Sequence, residues 1–536
     1  MARKISSRLK ILGTLTAQTP IHVGGYGESF ETDMALAKNG NDEFYVPGTS
    51  LTGTLRSWFE DAFVDKNNKE TQKFVNEIWG YKDGSEGNAS FVLIEDMRLP
   101  EDLRDSLQSE LRDGVGIDRL YGTAANGAKY DRAILPKGTE LEFEMAVEIA
   151  DRKRKPKKER KNEHDIYAET EPEFNSRIIK TKAMFGHLLE ALQNGEIRLG
   201  ASKTRGLGRV EFKPKKIAEN SLKGFDEILK LVQKQSSKTY SIEDLKKENA
   251  SINPKPNEKV TITIEWQPKS PLMVKAGYDG IGVDTLPLVS ANGKEQVSLV
   301  LPGSSVKGAF RAHAERILRT FSGKSAKDAK EFHDQIKMDL VNELFGAKKE
   351  TAKSNLGLGA LSIDDCYAEK QMNAEDWQKT EVGEFPNDTT YSATGLHQAL
   401  KKIDGEANEF PTKAFQISHH TAIDRFTGAA SDGALFSVLK PSPTLKWDDL
   451  NLTINLSRIP NEKRLCALML LLLVLRDFAQ NRLPLGFATN RGMGEVKDVS
   501  FEINGLYNIS YKNEQFEFTH EKLKDDMQTA WKNLEV

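Results

Sequence analysis

Two stretches of the sequence are nearly the same, "VPGTSLTGTLR" at residues 46–56 and "LPGSSVKGAFR" at residues 301–311. Both contain Pro-Gly, two small hydroxyl-bearing residues, an aliphatic residue, a variable residue, Gly, a small residue, an apolar residue and Arg. Glycine permits a turn, Ser and Thr are preferred helix caps, and the residues that follow have helical spacing. The sequence therefore predicts helices over Ser50–Asp65 and Ser305–Ser322, each begun by a Gly-Thr/Ser-Ser cap.

The chain contains a tandem duplication, because five further pairs of similar segments occur in the same order in both halves. In the first pair, two loops end in Asp33 and Asp284, each thirteen residues after a Pro. The other pairs are "VNEIWG" (75–80) with "VNELFG" (341–346), "VLIEDM" (92–97) with "LSIDDC" (361–366), "IDRLYGTAANGA" (117–128) with "IDRFTGAASDGA" (423–434), and "GASKTRGLGRV" (200–210) with "GFATNRGMGEV" (486–496). Six collinear matches indicate two copies of one domain.

The numbering offset between equivalent segments locates the insertions. It is 251, 255, 266 and 269 at the first four segments, 306 at Ile-Asp-Arg and 286 at the last segment. The second copy therefore has about 37 additional residues between Asp365 and Ile423, and the first has about 20 between Asp118 and Gly200, an interval that includes the basic run 151–162. The predicted divisions are a first domain at 1–215, a polar linker at 216–258, a second domain at 259–505 and a tail at 506–536.

Composition excludes several classes of protein. The 76 Lys and Arg residues against 79 Asp and Glu give a formal net charge of −3, so a globally basic surface is absent, although a local basic face is compatible with this balance. Cys366 and Cys466 are the two cysteines and provide neither a disulfide framework nor a Cys-rich zinc site. The longest apolar run, 465–475, is too short to cross a bilayer. We expect an intracellular protein without a membrane span.

The pattern of elements predicts an α+β fold. Residues 140–150 alternate apolar and polar side chains like a strand, and the apolar run lies within a segment, 461–482, typical of a buried helix. Each copy has the order strand–loop–helix–strand followed by strand–helix–strand. This order predicts two ferredoxin-like units in tandem, each with an inserted hairpin from its Ile-Asp-Arg stretch.

The repeated Pro-Gly motif has two interpretations. A helix start has free N–H groups that bind phosphate, and Arg56 and Arg311 follow one to two turns later, so either arginine reaches a phosphate or a carboxylate. The alternative is an ordinary capped helix packed on a sheet. The spacing of glycines is not that of a nucleotide-binding Walker A loop, and no terminal Lys-Ser or Lys-Thr pair follows.

The last repeated segment is a glycine-rich loop that precedes a strand. It carries Lys203, Arg205 and Arg209 in the first copy and Asn490 and Arg491 in the second, which indicates a cradle for a polyanion. A tight turn into a strand is the alternative. In the hairpins, Asp118–Arg119 and Asp424–Arg425 either pair with their neighbours or face a ligand.

Asp33 and Asp284 are the candidate catalytic residues. One carboxylate can hold a metal ion or position a 2′-hydroxyl, and a solvated loop is the alternative. No His or Glu occupies an equivalent position in both loops, and no Ser-His-Asp or Cys-His arrangement is indicated by the spacing.

These motifs together resemble those of the RAMP superfamily of CRISPR–Cas proteins, in particular the subunits that form the backbone of type III effector complexes. "LPGSSVKGAFR" and "IDRFTGAASDGALF" of the second copy carry the resemblance best. The first copy departs from it at Thr52, where the family often has Lys, and at Tyr121, where the second copy has Thr427. Two fused copies look like the double-backbone subunit of type III-D complexes.

The resemblance implies that RRM-like palms hold a guide RNA while thumb hairpins splay single nucleotides of the paired target RNA. It assigns cleavage to Asp33 and Asp284, with a divalent metal for which Mg²⁺ is the expected ion. It also implies neighbouring CRISPR effector subunits as partners and a cytoplasmic location. The residues assigned to RNA contact are Gly48, Thr49, Ser50, Arg56, Arg119, Lys203, Arg205, Arg209, Gly303, Ser304, Ser305, Lys307, Arg311, Arg425, Asn490 and Arg491.

Three other functions compete with this one. The same fold can hold RNA without cutting it. A stand-alone guide-processing endonuclease of the superfamily usually has a His-centred site, and no matched His exists here. A carbohydrate or nucleotide enzyme with ferredoxin-like halves would need an acid–base pair that the sequence does not indicate.

Overall fold

The computed structural model describes residues 4–25, 32–65, 68–84, 86–104, 107–150, 169–222, 224–233, 235–256, 258–292, 295–329, 331–347, 357–382, 393–404 and 413–534. The basic run 151–162 lies outside these ranges.

The described chain alternates strands and helices. The strands are β1 Ile5–Ala17, β2 Tyr45–Val46, β3 Tyr81–Asp83, β4 Glu86–Asn88, β5 Val92–Ile94, β6 Met97–Arg98, β7 Glu110–Ile117, β8 Ala124–Ile134, β9 Glu140–Ala150, β10 Arg205–Gly206, β11 Val210–Ser221, β12 Lys238–Thr239, β13 Lys259–Pro268, β14 Val289–Ala291, β15 Gln296–Leu301, β16 Leu361–Asp364, β17 Cys366–Tyr367, β18 Met372–Asn373, β19 Phe415–Ile423, β20 Ala430–Pro441, β21 Leu450–Asn455, β22 Val496–Gly505, β23 Ile509–Lys512 and β24 Gln515–Phe518. The α-helices are α1 Gly48–Phe63, α2 Lys69–Trp79, α3 Glu171–Gln193, α4 Phe225–Val232, α5 Ile242–Lys247, α6 Gly303–Ser322, α7 Phe332–Gln335, α8 Asp339–Phe345, α9 Ala374–Val382, α10 Ala393–Asp404, α11 Arg464–Ala479 and α12 Glu521–Lys532.

The two copies have the same sheet topology. In the first, β1 is paired antiparallel with both β9 and β11, and β5 continues the sheet beyond β9. In the second, β13 is paired antiparallel with both β21 and β22, and β16 continues the sheet beyond β21. The α+β fold with two repeated units is therefore confirmed, as are the predicted strand at 140–150 and the predicted buried helix, here α11.

Helices cover one face of each sheet and complete its core. In the first copy, α1 and α3 bring Phe59 and Phe185 together with a 5.2 Å distance between ring centroids, and both side chains are fully buried. In the second, α6 and α11 bring Phe310 and Phe478 together at 5.6 Å. Apolar burial of this kind stabilises each copy separately.

The segment between the copies folds onto the first copy. The side chains of Tyr240, Ile242 and Leu245 belong to the first hydrophobic core, and β12 pairs with β11. The tail folds onto the second copy, where β23 and β24 extend its sheet and Met527 of α12 is buried. A few well-placed apolar residues in a polar segment are sufficient to dock it.

Each Ile-Asp-Arg stretch lies at the tip of a two-stranded antiparallel hairpin. The first thumb hairpin consists of β7 and β8, and the second consists of β19 and β20. Asp118 and Asp424 close the tips, since the Oδ1 atom of each accepts two backbone N–H bonds from residues two and three positions later. The repeated Asp is thus a turn-forming residue.

Candidate nucleic-acid interface

At the starts of α1 and α6, the first backbone N–H group is hydrogen-bonded to an aspartate side chain of the protein. The N–H of Gly48 donates to Oδ1 of Asp96 at 2.7 Å, and the N–H of Gly303 donates to Oδ1 of Asp365 at 2.8 Å. Pro47 and Pro302 occupy the cap positions, and neither helix has a side-chain cap, so the predicted Ser and Thr caps are wrong. An acidic side chain from the connection between β5 and β6, or between β16 and β17, replaces them because it satisfies the first N–H and complements the helix dipole.

The small residues of the motif lie beside this carboxylate. Thr49 and Ser304 are exposed, whereas Ser50 and Ser305 are half-buried and donate their N–H groups to the carbonyls of the preceding prolines. The first turn of each helix is accessible, but the N–H groups of Gly48 and Gly303 are not available to a phosphate. Contact between these residues and RNA stays a prediction. Thr49 and Ser304 are its exposed candidates.

Arg56 and Arg311 connect each helix to the segment that follows it. Arg56 donates to the carbonyl of Gly80 at 2.8 Å and pairs with Glu60. Arg311 donates to the carbonyl of Gly346 and pairs with Glu315 at 2.8 Å. The repeated Arg therefore donates a hydrogen bond to the glycine carbonyl at the end of the "VNEIWG" or "VNELFG" helix. This geometry supports a structural role rather than RNA contact.

Lys307 is also directed into the protein. Its side chain is 5% exposed, and its Nζ donates to the carbonyl of Leu361 at 2.6 Å. Burial, together with Arg205, Arg311 and Arg458 nearby, holds the pKa of Lys307 well below its usual value. The structure does not support the predicted RNA contact of Lys307. In the first copy Thr52 occupies this position, and its hydroxyl donates to the carbonyl of Gly48 in the same helix.

The glycine loops place an arginine beside an aromatic ring of the thumb hairpin. Arg205 donates to the hydroxyl of Tyr130 at 3.2 Å, and the guanidinium of Arg491 lies 5.7 Å from the ring centroid of Phe436. Tyr130 and Phe436 are equivalent at the offset of 306. Both arginines are exposed. An exposed guanidinium beside an aromatic ring is a surface on which nucleobases stack.

The other polar residues of these loops differ in environment. Lys203 donates to the Thr54 hydroxyl at 3.1 Å, and burial lowers its pKa. Arg209 lies 3.4 Å from Asp364 of the second copy. Asn490 is exposed on the second loop. Lys203 and Asn490 thus flank the exposed arginines, whereas Arg209 contributes to the contact between copies.

The two candidate catalytic carboxylates have equivalent positions. Oδ2 of Asp33 accepts the N–H of Asp131 at 3.0 Å, and Oδ2 of Asp284 accepts the N–H of Ser437 at 2.6 Å. Asp131 and Ser437 lie on the second strand of each thumb hairpin and are related by the same offset of 306. Both catalytic candidates are exposed. In each copy the loop Asp is therefore fixed at the base of the hairpin.

The two sites differ in chemistry. Hydrogen bonds from the side chain and backbone of Ser437 lower the pKa of Asp284, so this group is an ionised acceptor at neutral pH. In the first copy, Asp131 is a second carboxylate, and its pKa is lowered by hydrogen bonds from Thr32 and Asp33. The first site has two carboxylates and the second has one carboxylate and a hydroxyl.

The donor sets of the sites are suited to magnesium to different degrees. Mg²⁺ is usually bound by one or two carboxylates together with waters and substrate phosphates. Asp33 and Asp131 fit this pattern, since the site has two carboxylates and each accepts a backbone N–H from the other residue. Asp284 supplies a single carboxylate. Among the described residues, no group of three or more His, Cys, Asp or Glu side chains is placed to hold a metal ion by itself.

The glycine loop of the first copy extends the sheet of the second. β10 pairs in parallel with β16, with Arg205 opposite Ile363 and Gly206 opposite Asp364. Gly206 has φ +94°, and a Cβ atom at this position would overlap the Asp365 carboxylate. Glycine is required here because the loop passes directly over the start of α6.

The first thumb hairpin docks on the second copy through paired polar groups. Arg119 contacts Glu315 at 2.7 Å, and its backbone N–H donates to Gln335 at 2.9 Å. Glu110, at the base of the hairpin, accepts the N–H of Ala291 at 2.6 Å. Arg119 therefore makes a protein contact, which favours the neighbour-pairing alternative, and its contact with RNA stays a prediction. Its equivalent, Arg425, is exposed.

A cleft of about 80 Å³ lies between the copies. Its cationic residues come from both copies, and the first turn of α6 contributes to its lining; these residues are Arg112, Arg132, Arg205, Lys275, Ser304 and Ser305. The Arg112 side chain is 10% exposed, and among the described residues its Nε and Nη1 atoms have no hydrogen-bond partner. Four cationic side chains thus line the cleft with two carboxylates, Asp113 and Asp365, and this excess of positive charge is suited to a phosphate.

Sequence reasoning missed four residues of the interface, namely Asp131, Ser437, Tyr130 and Phe436. The aligned aromatic pair was detectable, since both hairpins have an aromatic residue at the offset of 306. The pair Asp131 and Ser437 was not, because the two residue types differ.

Comparison with known proteins agrees with the geometry. The RAMP superfamily matches the chain twice, over residues 14–211 and 267–497. No match was found among curated proteins. In the part of the chain that the structure describes, no helix is long and apolar enough to cross a membrane. The chain therefore belongs to the RAMP superfamily of CRISPR-associated RNA-binding proteins and contains two copies of the family domain.

Proposed function

We propose that this chain is a backbone subunit of a type III CRISPR effector complex that holds a guide RNA and cuts the paired target RNA at two positions. The observation that carries the proposal is the equivalent placement of Asp33 and Asp284, each hydrogen-bonded to the second strand of its thumb hairpin. A hairpin that splays the target and a carboxylate fixed at its base would act on the same nucleotide. A cytoplasmic location belongs to this proposal.

The reaction is in-line transfer at the adjacent phosphate. The 2′-oxygen of one target nucleotide attacks phosphorus and gives up its proton, and the 5′-oxygen of the next nucleotide leaves and takes up a proton, so that a cyclic phosphate forms. Positioning supplies much of the acceleration in such a reaction. Asp284, as an ionised acceptor, would orient the 2′-hydroxyl and accept its proton, and Asp33 with Asp131 would do the same in the first copy. Magnesium, when bound by these carboxylates, would supply positive charge to the phosphate.

The guide RNA would follow the positive surface between the copies. Arg205, Arg491 and the cleft residues Arg112 and Arg132 provide cations, while Tyr130 and Phe436 provide aromatic faces. None of these groups forms a base-reading pocket, so sequence would be read by pairing between guide and target.

A subunit that holds RNA without cutting it is the second candidate. Its support is that both carboxylates already satisfy backbone N–H groups of the hairpin, which is a structural role in itself. The two candidates differ in what happens when the carboxylates are removed.

Cut mapping in the assembled complex distinguishes them. Labelled complementary RNA and Mg²⁺ are added to complexes with the wild-type chain, Asp33→Asn or Asp284→Asn, and Asp83→Asn serves as an exposed control outside the site. We expect each catalytic substitution to remove one distinct cut and the control to remove none. Two unchanged cuts with RNA still bound would establish the non-catalytic subunit.

Neighbouring subunits would repeat the contact between the two copies. β16 has the first copy's glycine loop on its outer edge, whereas its equivalent, β5, is at the open edge of the first sheet. The second copy's hairpin and glycine loop are likewise exposed at Arg425 and Arg491. The first copy thus has a sheet edge at β5, and the second copy has an exposed glycine loop and hairpin that would pair with the equivalent edge of a neighbouring subunit. Strand addition at a sheet edge is a common mode of association.

Arg425→Glu tests this arrangement. We expect it to reduce incorporation of the neighbouring subunit, measured by native mass spectrometry of the complex, while Lys497→Glu, at another exposed position, leaves assembly intact. Full assembly with weakened guide binding would instead make Arg425 an RNA contact.

A further inference from the structure

The insert in the second copy contacts the loop that carries Asp284. The additional residues lie between Asp365 and Ile423, and their described part includes α9 and α10. The first copy has about 37 fewer residues in this interval. Any contact made by these helices is therefore special to the second site.

Glu381 of α9 holds the loop at two points. Its backbone carbonyl accepts the N–H of Ile281 at 3.0 Å, and its Oε1 atom accepts the hydroxyl of Tyr278. The same Oε1 atom accepts Nε1–H of Trp377 at 2.5 Å. Trp377 is 2% exposed, so the carboxylate is itself fixed by a side chain of the second core.

Packing from α10 adds a third contact. Leu396 is buried, and a Cβ atom at Gly282 would lie 3.5 Å from its Cδ2 atom. Lys402 of α10 pairs with Asp376 of α9 at 2.7 Å, which joins the two helices. Gly282 therefore lies against Leu396, at a spacing where a Cβ atom would make an ordinary van der Waals contact.

The insert also reaches the second thumb hairpin. Oδ2 of Asp404, the last residue of α10, accepts the N–H of Ala414 at 3.1 Å, directly before β19 begins. The Asp284 loop is therefore held by the insert at Tyr278 and Ile281 and by the hairpin at Ser437. Asp284, the residue bonded to Ser437, lies three residues after Ile281.

We propose that the α9–α10 insert is a positioning element for Asp284, which orders residues 278–284 before RNA binds and acts through the carboxylate of Glu381. The inference rests on the proposed function, because it gives the ordered loop a role in cutting at the second site. It makes the two sites unequal, since the first copy has no counterpart of the insert.

Glu381→Ala is the main test. It removes the side-chain acceptor for Tyr278 and Trp377. Loss of a hydrogen bond of this kind changes the equilibrium constant between the ordered and open loop about tenfold. We expect amide hydrogen exchange over residues 278–284 to become about tenfold faster. In the assembled complex at saturating target, we expect the single-turnover rate of the Asp284-dependent cut to fall about tenfold, with target affinity and the Asp33-dependent cut unchanged.

Two variants serve as controls. Glu381→Gln retains a carbonyl oxygen that accepts both donors, so we expect it to restore most of the exchange protection and the second cut. Glu375→Ala removes a carboxylate from the same helix that pairs with Lys379 on the surface, and we expect it to change neither. If Glu381→Ala does not fold, Tyr278→Phe removes one donor from an exposed side chain and should give a smaller effect in the same direction.

The outcomes separate this inference from the proposed function. Unchanged exchange over 278–284 in Glu381→Ala would overturn the inference even if the wild-type complex cuts RNA. Faster exchange with an unchanged second cut would also overturn it, as would an equal fall in both cuts. If the wild-type complex makes no cut at all, the proposed function fails and the positioning role fails with it, whatever the exchange shows.

Discussion

Nε of Arg119 lies 2.7 Å from Oε2 of Glu315, a side chain with no solvent exposure. Arg119 belongs to the first copy's hairpin and Glu315 to a helix of the second copy. Arg311 and Arg319, both on that helix, contact the same carboxylate at 2.8 and 3.7 Å. A single buried carboxylate thus balances three guanidinium groups and joins the two copies.

We expect Glu315→Ala to lower the free energy of unfolding by about 3–5 kcal/mol, because it leaves buried guanidinium groups without their partner. Denaturant unfolding followed by circular dichroism measures the change. The matched control is Glu60→Ala at the equivalent position in the first copy. Glu60 is 36% exposed and pairs with Arg56, so we expect a loss of less than about 1 kcal/mol. Equal losses at both positions would contradict the role of Glu315 in joining the two copies.

Asp365 makes the stability of the protein depend on pH. Burial raises its pKa to about 6 from an ordinary 3.8, although Arg112 and the N–H of Gly303 act in the opposite direction. A raised carboxyl pKa contributes stability that is present below the ordinary value and is lost as pH rises through about 6. We therefore expect the wild-type chain to gain stability relative to Asp365→Asn as pH is lowered from 7 to about 4.

Thermal unfolding of both chains across this range measures the difference. The variant is a suitable reference because its amide oxygen still accepts the Gly303 N–H. A constant difference in melting temperature between the two chains would show that Asp365 does not titrate in this range.

Ser437→Ala changes the acid–base behaviour of the second site alone. It removes the hydroxyl bond to Asp284 and retains the backbone N–H, so the pKa of Asp284 should rise towards its ordinary value. Since an ionised Asp284 is the active form under our proposal, the acidic limb of the rate–pH profile for the second cut should move to higher pH. The profile of the first cut, measured in the same reactions, should not move.

Removing the hairpin aromatics should weaken RNA binding. We expect Tyr130→Ala and Phe436→Ala each to cost about 1–3 kcal/mol of guide affinity if a base stacks there. Fluorescence anisotropy with labelled guide RNA measures the loss. Tyr130→Phe retains the ring and should bind nearly as well as wild type; a loss as large as that of Tyr130→Ala would assign the effect to the hydroxyl bond with Arg205.

Much of the fold could be predicted from repetition and periodicity. Helices α1 and α6, strand β9 and the hairpins follow from turn residues and apolar spacing, which are local properties. The predicted hydroxyl caps failed because the competing group, Asp96 or Asp365, is brought to the helix start by tertiary pairing. No local pattern contains that information.

The candidate site was predictable in position but less so in role. The loops of Asp33 and Asp284 were recognised, yet their partners Asp131 and Ser437 lie about 100 and 150 residues away. Lys307, Arg119 and Arg311 were assigned to RNA through the resemblance to the family. The structure places all three in buried or half-buried polar contacts, and burial of a side chain depends on neighbours that its own segment does not specify.

The pairing of β10 with β16 has a consequence for how the chain measures RNA. Because the first copy's glycine loop is part of the second copy's sheet, the separation of Asp33 and Asp284 is set by a shared sheet and not by the length of the intervening segment. The two cuts should therefore keep a constant interval in nucleotides whatever the guide sequence. The protein would set the distance between the two cuts, and the guide sequence would determine only where on the target this pair of cuts falls.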